Sequence, residues 1–309
     1  MSRRLLIVEA AYLGDLVMTT PLMGAALRDK WEVHVAIRRS SVGVLEGLIP
    51  QEQIHILPSH FLSAQKKLQS IRPQLTIVTH RAHSSVLAAL GVSPRWGYGG
   101  GRSLLLSGTV RFDPMAHRVE NHINLGRAAG LALPMDEPLV LRTTAGDSPS
   151  LPEGALVLNP NASWPEKAWT TPRWVRLAKA LGERLSVRPV VVGGPNDRER
   201  CSAIANGCGG IDLGGKTDLP MLKRVLERAR LLISHDSGPA HIAAALGTQV
   251  ISVFGATHPE LVGPWPPRTG FVLSSPRAKS PPPPKGKRER WIDGVHWKHV
   301  VALASELWV

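Results

Sequence analysis

Cysteine is nearly absent: Cys201 and Cys208 are the only two in 309 residues, so neither a disulfide framework nor a four-cysteine zinc site can be built. Two lone thiols suit a reducing compartment. No apolar run reaches the roughly 18 residues that a membrane span requires. The opening MSRRLLIVEA leads into strand-like sequence rather than the apolar centre of a signal peptide, which reads as a cytoplasmic protein. Aromatic residues make up only 5%, and no RRM, zinc-finger or helix-turn-helix pattern occurs, which argues against sequence-specific nucleic-acid binding. The dinucleotide fingerprint G-x-G-x-x-G is missing, as is the hydrolase elbow G-x-S-x-G. No Asp-x-Asp pair is present to hold a divalent metal against a diphosphate.

What the chain does have is positive charge, with 37 basic against 24 acidic side chains and a net charge of +13. Part of the excess lies in one segment, where Arg277, Lys279, Lys285, Lys287, Arg288 and Arg290 stand against a single Glu289. Pro281 to Pro284 make the stretch at 276–290 read as an extended, solvated insert. Peripheral attraction to an anionic membrane surface, on the inner face of the cytoplasmic membrane, suits that charge better than a nucleic acid. A hydrophobic content of 43% and a charged content of 20% are those of a globular protein, long enough for two domains.

The dominant rhythm is apolar run, loop, amphipathic helix. Strands are expected at Arg4–Ala10, Glu32–Ile37, Gln53–Leu57 and Leu75–Thr79, with helices over Leu16–Lys30, Leu62–Ile71 and Ser84–Leu90. Leu131–Glu153 is rich in Pro, Asp, Ser and Thr, with the linker expected within Thr143–Glu153, and strands follow at Ala155–Leu158, Pro189–Val192, Gly210–Leu213, Leu231–Ser234 and Gln249–Phe254. Thr171-Pro172 reads as a cap and first helical residue opening Arg173–Leu185, and Asp236–Pro239 as the opening of a helix through Leu246. The final helix, His296–Trp308, carries Val300, Leu303 and Leu307 on one stripe that could cross back to the first domain. Continuous apolar strands alternating with helices predict an α/β protein of two facing Rossmann-like domains, 1–148 and 149–309, with the ligand in a crevice at the strands' carboxyl ends.

Gly210–Thr217 matches the P-loop pattern literally, but strand residues Ile211 and Leu213 occupy the place where a free loop must wrap phosphate. Lys216 and Thr217 remain candidates for a ligand because they follow a strand. His80 with His83 and His296 with His299 have metal-like spacing without a carboxylate or cysteine partner, so no metal site is expected. Three strand-to-helix junctions are richer. In the first, Gly14 permits a tight turn and Asp15 stands where a helix begins, which reads as a cap or as a functional carboxylate. In the second, Ser163-Trp-Pro-Glu-Lys167-Ala-Trp169 places a lysine where it can meet a phosphate or simply be solvated. In the third, Asp236-Ser237-Gly238-Pro239-Ala-His241 turns from strand to helix with small residues at the first backbone amides, the make-up of an anion site.

Together with Gly193–Asp197, Leu213–Thr217, His117–Glu120, Phe254–Pro259 and Gly263-Pro264, these segments resemble glycosyltransferase family 9, the ADP-heptose:lipopolysaccharide heptosyltransferases, from about Arg3 to Pro264. The resemblance implies a GT-B fold and an inverting transfer of sugar, most simply heptose from ADP-heptose, to a glycan or lipopolysaccharide-core-like acceptor, without metal or other cofactor. On it, Asp15 takes the place of the general base and Lys167 that of the cation on the leaving diphosphate. Ser163, Asp197, Lys216, Thr217, Asp236, Ser237, Gly238, Pro239 and His241 fall on the donor side, and Gly14, His80 and Arg81 on the acceptor side. His80-Arg81-Ala-His83 and the insert depart from the family pattern. A GT-B-fold sugar-nucleotide epimerase and a non-catalytic sugar-nucleotide-binding protein are the alternative readings.

Overall fold

The computed structural model describes residues 3–58, 60–92, 94–266, 270–275 and 291–308, so the basic, proline-rich stretch at 276–290 lies outside the described residues. The chain divides into two units, Met1–Arg142 and Thr143–Val309. Among the described residues no helix is long and apolar enough to cross a membrane.

The first unit is built on the apolar runs that the sequence alternates with helices. β1 (Arg4–Glu9) and β2 (Glu32–Ile37) are buried at every residue after the first, as strands covered on both faces must be. β3 (Ile54–Ile56), β4 (Leu75–Val78), β5 (Arg95–Tyr98) and β6 (Gly108–Val110) complete a parallel sheet in the order β3-β2-β1-β4-β5-β6. Its centre is fixed by register, with Ile7 beside Val35 on one side and Ile77 on the other. β5 and β6 are not evident from the sequence pattern. They are short and glycine-containing, and Trp96 packs where a side chain at Gly108 would stand.

The single helix expected over Leu16–Lys30 is two, Leu13–Met18 and Thr20–Arg28, broken at Thr19. Pro21 has no N–H to give to the carbonyl of Val17, so the helix cannot run through it. The hydroxyls of Thr20 and Thr19 donate instead to the Val17 and Leu16 carbonyls, both at 2.7 Å.

The second unit repeats the plan with β7 (Ala155–Asn159), β8 (Val190–Gly193), β9 (Ile211–Gly214), β10 (Ala229–His235), β11 (Gln249–Phe254) and β12 (Gly270–Ser274). Their order is β12-β11-β10-β7-β8-β9, all parallel. Counted from its own first strand, this is the order of the first sheet. β12 and the helices Arg198–Cys208 and Leu219–Glu227 add to the elements expected.

The helix after β7 spans Thr171–Leu185, one turn-defining residue earlier than its sequence suggests: Thr170 is the cap, in extended backbone, and Thr171 and Pro172 are already helical. This helix turns Trp174, Leu177 and Leu181 onto Leu156, Leu158 and Val191 of the sheet. Each fully buried leucine contributes about 2 kcal/mol relative to exposure. The last helix, Trp297–Leu307, packs on the same core through Val300 and Ala304.

In each sheet the order reverses between the first and fourth strands, β1 and β4 in one, β7 and β10 in the other. Helices leave those two strands toward opposite faces, so the carboxyl ends open a crevice there, the usual ligand position of such sheets.

Candidate functional site

In the second unit, β10 ends in His235 and delivers Asp236 at the sheet's reversal point. The Lys167 ammonium, on the connection after β7, donates to Asp236 Oδ2 at 2.5 Å. Thr257, just past β11, donates its hydroxyl to the same oxygen at 2.6 Å. His241 Nε2 stands 3.9 Å from Oδ1, too far for a hydrogen bond but near enough to add attraction when protonated. Burial by itself would raise the pKa of Asp236. Burial is the largest single influence, but the Lys167 charge, His241 and the Lys167 hydrogen bond together outweigh it and hold the carboxyl well below the usual carboxylate range.

Lys167 also lies 4.4 Å over the ring of Trp164, which orients the cation from the other side. The ammonium has three donors, and the structure gives one of them to Asp236. Two remain for a ligand.

Beside this pair, Asn159 at the end of β7 donates through Nδ2 to the hydroxyls of Ser234 at 2.9 Å and Ser237 at 2.8 Å. Ser237 is the N-cap of the helix Gly238–Ala245, without a side-chain cap bond. Asp236, expected to open this helix, stands one residue before its cap, occupied by Lys167 and Thr257. Gly238 and Pro239 open the first turn; Pro239 has no N–H and the Ala240 N–H bonds to the Ser237 carbonyl at 3.1 Å, so the donor left at the positive end of this helix is the Gly238 amide. Behind them the Trp169 N–H donates to His235 Nε2 at 3.1 Å, and Trp169 and Trp174 stand edge-on to the His235 ring. That packing ties the Lys167 connection to the end of β10.

The structure links four donor-side candidates to other partners or to none. Ser163 is exposed and, among the described residues, its side chain makes no hydrogen bond. Asp197 Oδ2 accepts the Gly194 N–H at 2.9 Å and closes the turn after β8. Lys216 is exposed and pairs with Asp212 at 3.2 Å, and Thr217, half-buried, makes no side-chain contact with the Lys167 cluster.

In the first unit a cavity of about 250 Å³ opens at the carboxyl ends of β1 and β4. Asp15 lines it from the first turn of Leu13–Met18, two residues inside the helix rather than at its cap, with Gly14 before it. His80 and Arg81 line it from the end of β4. The His80 Nδ1 pairs with the Ser85 hydroxyl at 2.7 Å, and burial lowers its pKa against the opposing pull of Asp15. The Arg81 guanidinium lies 4.0 Å over Phe112.

Two residues of these clusters were not singled out from sequence. Glu9, 3% exposed, accepts the Ala11 N–H at 2.8 Å and the Thr79 hydroxyl at 2.7 Å. Burial, then the charge of Asp15, push its carboxyl up to about 7, against the lowering effects of Thr79, Ala11 and Arg118. Thr257 is the other. Among the described residues no group of three or more histidine, cysteine or acidic residues converges as metal ligands would.

Over residues 67–291 the chain matches the family model described as glycosyltransferase family 9 (heptosyltransferase). Over 115 residues it is 37% identical to lipopolysaccharide heptosyltransferase 3 of Escherichia coli K12, covering 36% of this chain and 33% of that protein. The chain spans about a third of the length of the curated relatives it matches. Two solved structures align over nearly all of both chains at 19% identity. They are the glycosyl transferase family 9 protein from Veillonella parvula DSM 2008, at a TM-score of 0.79 over 99% of this chain and 97% of that one, and E. coli heptosyltransferase WaaC with ADP, at 0.76 over 98% and 99%. These likenesses show the fold, two Rossmann-like units of the GT-B class.

Proposed function

Since this chain belongs to glycosyltransferase family 9, we propose that it moves heptose from ADP-heptose to a glycan or lipopolysaccharide-core-like acceptor, with inversion and without a metal. The observation that carries the reading is the Lys167–Asp236 pair, fixed beside the first turn of Gly238–Ala245 at the reversal point of the second sheet.

In the proposed reaction the acceptor hydroxyl gives its proton to Asp15, and its oxygen attacks the anomeric carbon from the face opposite the leaving group. The bond from that carbon to the diphosphate oxygen breaks, and its electron pair leaves with ADP. Lys167 supplies two free N–H donors, and the helix its positive end and the Gly238 amide, to the charge that gathers on the diphosphate. A fixed lysine and backbone donors can replace a divalent cation in that role, which is why no metal is invoked. Ser237, Gly238, Pro239 and His241 belong to the donor turn in this reading. Gly14, His80 and Arg81 belong to the acceptor side. The place of work proposed is the inner face of the cytoplasmic membrane, where a net charge of +13 favours contact with anionic lipid.

The test is calorimetric titration of the full chain with ADP, UDP and GDP in the presence of chelator. Selective ADP binding supports the reading. A preference for UDP or GDP reassigns the donor, and binding of none of them overturns it.

A further inference from the structure

Glu9 is a carboxyl buried without a cation. It ends β1, lines the same cavity as Asp15 and is 3% exposed. Among the described residues it makes no ion pair. Its partners are neutral: the Ala11 N–H, 2.8 Å from Oε1, and the Thr79 hydroxyl, 2.7 Å from Oε2. A buried carboxylate held by neutral groups alone is costly, and taking up a proton removes that cost.

The geometry has room for the proton. Thr79 Oγ1 also lies 3.2 Å from the Val8 carbonyl, so two acceptors compete for one hydroxyl proton. With Glu9 ionised, Thr79 donates to the carboxylate and its hydroxyl gives nothing to Val8. With Glu9 neutral, the Oε2–H donates to Thr79 Oγ1, and the Thr79 hydroxyl donates to Val8. The Ala11 N–H stays on Oε1 in both forms. The same atoms in the same places serve both charge states, so the carboxyl can titrate without rearrangement. Burial, then the charge of Asp15, bring that change to about 7.

The groups facing Glu9 come from every element around the cavity. Tyr12 and Asp15 stand at the start of Leu13–Met18, His80 and Arg81 follow β4, and Arg118 and His122 lie on the helix Arg118–Ala128. Tyr98, on β5, is buried beside His122, and Arg38 and Arg102 act on His80. Of these, Asp15 raises the Glu9 value and Arg118 lowers it. Burial holds His122 at about 3, lowers His80 and raises Tyr98, so all three are neutral near pH 7. Among the groups displaced from their ordinary values here, Glu9 is the one whose charge changes near pH 7.

We infer that Glu9 is a positioning residue for Asp15: by gaining or losing its own proton it sets the charge against which Asp15 takes the proton of the acceptor hydroxyl. That role rests on the transfer proposed above; the coupling of the two carboxyls does not. A proton arriving on Asp15 ends its repulsion with an ionised Glu9, whereas beside a neutral Glu9 there is no repulsion to relieve. Transfer is therefore faster with Glu9 ionised, and its rate rises as pH passes through the titration of Glu9. A coupling of about one pK unit, about half expressed in the transition state, gives about a threefold rise.

The coupling is tested without any ligand. The full chain, labelled with ¹³C at the glutamate side-chain carboxyls, is titrated by NMR, with Glu9→Gln identifying the Glu9 signal. Glu9→Asp, which also removes that signal, serves if Glu9→Gln does not fold. A midpoint near 7 that falls in Asp15→Asn and climbs in Thr79→Val supports the coupling. A midpoint in the ordinary carboxylate range, or one that Asp15→Asn leaves in place, overturns the inference even if the chain transfers sugar. The pH profile of ADP release from ADP-heptose, with a core lipopolysaccharide lacking heptose as acceptor, tests the role. The parent rate rises about threefold across the NMR midpoint, Glu9→Gln loses that rise and Glu9→Asp keeps it, which a merely structural side chain would not do. Profiles of the same shape in the parent and Glu9→Gln overturn the role. Coupled carboxyls in a chain that transfers nothing from any nucleotide sugar overturn the transferase reading instead and leave the coupling standing.

Discussion

The Lys167 ammonium donates to the Asp236 carboxylate at 2.5 Å while resting 4.4 Å over the Trp164 ring, so the cation proposed to meet a diphosphate is already held in place before any ligand arrives. Holding it so removes most of the side-chain entropy that a free lysine would lose on binding. It also makes the pair structural, because each charge depends on the other.

Lys167→Ala is therefore expected to do two things. ADP affinity falls about tenfold or more, the size of a charge-assisted hydrogen bond, and the protein loses about 3–5 kcal/mol because Asp236 is left buried and unpaired. Lys167→Met combined with Asp236→Leu separates the effects: thermal melting recovers much of the stability, while calorimetry still shows weak ADP binding. Recovery of both together would contradict the phosphate role.

Asp15→Asn keeps the shape of the side chain and removes the base. Transfer is expected to fall by about 10²- to 10⁴-fold, with ADP affinity within about threefold of the parent because the diphosphate contacts proposed lie in the other unit. Steady-state kinetics beside calorimetry checks both halves of the statement. Unchanged turnover would remove the assignment of Asp15.

Glu9 makes stability depend on pH in an unusual direction. Its folded value near 7 lies above the ordinary glutamate value of 4.5, so between those limits the folded state binds the extra proton. Stability contributed by the neutral carboxyl is therefore full below about 4.5 and is lost as pH rises through 7. The total is on the order of 3 kcal/mol. Urea unfolding of the parent should show this decline, and Glu9→Gln should flatten it. Asp15→Asn should move the decline to lower pH, since the neighbouring charge is one cause of the shift.

Gly255, past the end of β11, faces the backbone of Ile292, whose N and Cα lie 2.5 Å from where a Cβ would stand. The Ile292 carbonyl in turn receives the Trp169 indole N–H at 2.9 Å. Gly255→Ala must push that backbone away, at a cost of about 1–3 kcal/mol. Indole fluorescence should report a changed Trp169 environment along with a lowered melting temperature.

The parts legible in sequence are those where chemistry and local pattern coincide. β1, β2, β10 and β11 are continuous apolar runs, and Asp15, Lys167 and Asp236 each follow such a run at a turn into a helix. Partnerships across the chain are a different matter. Glu9 reads as the polar end of a strand until Thr79, seventy residues on, is found closing over it. Thr257 reads as a turn residue until its hydroxyl is found on Asp236. Ser163 and Lys216 stand among promising neighbours in sequence, yet in the fold the first is exposed and the second is paired with Asp212. β5 and β6 escape notice because Gly97 and Gly108 interrupt the apolar pattern, and their pairing depends on the packing of Trp96 and Leu106.

The first sheet draws all of its strands from residues between Arg4 and Val110, and every ladder in it closes within that span. β1 cannot gain its second neighbour until β4 has been made, so during synthesis a two-sided β1 waits for residue 78 and a complete sheet for residue 110. From then on this half can fold while the ribosome is still making β7, and the apolar strands of the second half emerge after those of the first are already paired with one another. Vectorial synthesis thus keeps apart two sets of parallel strands that share one strand order and would otherwise be able to pair with each other.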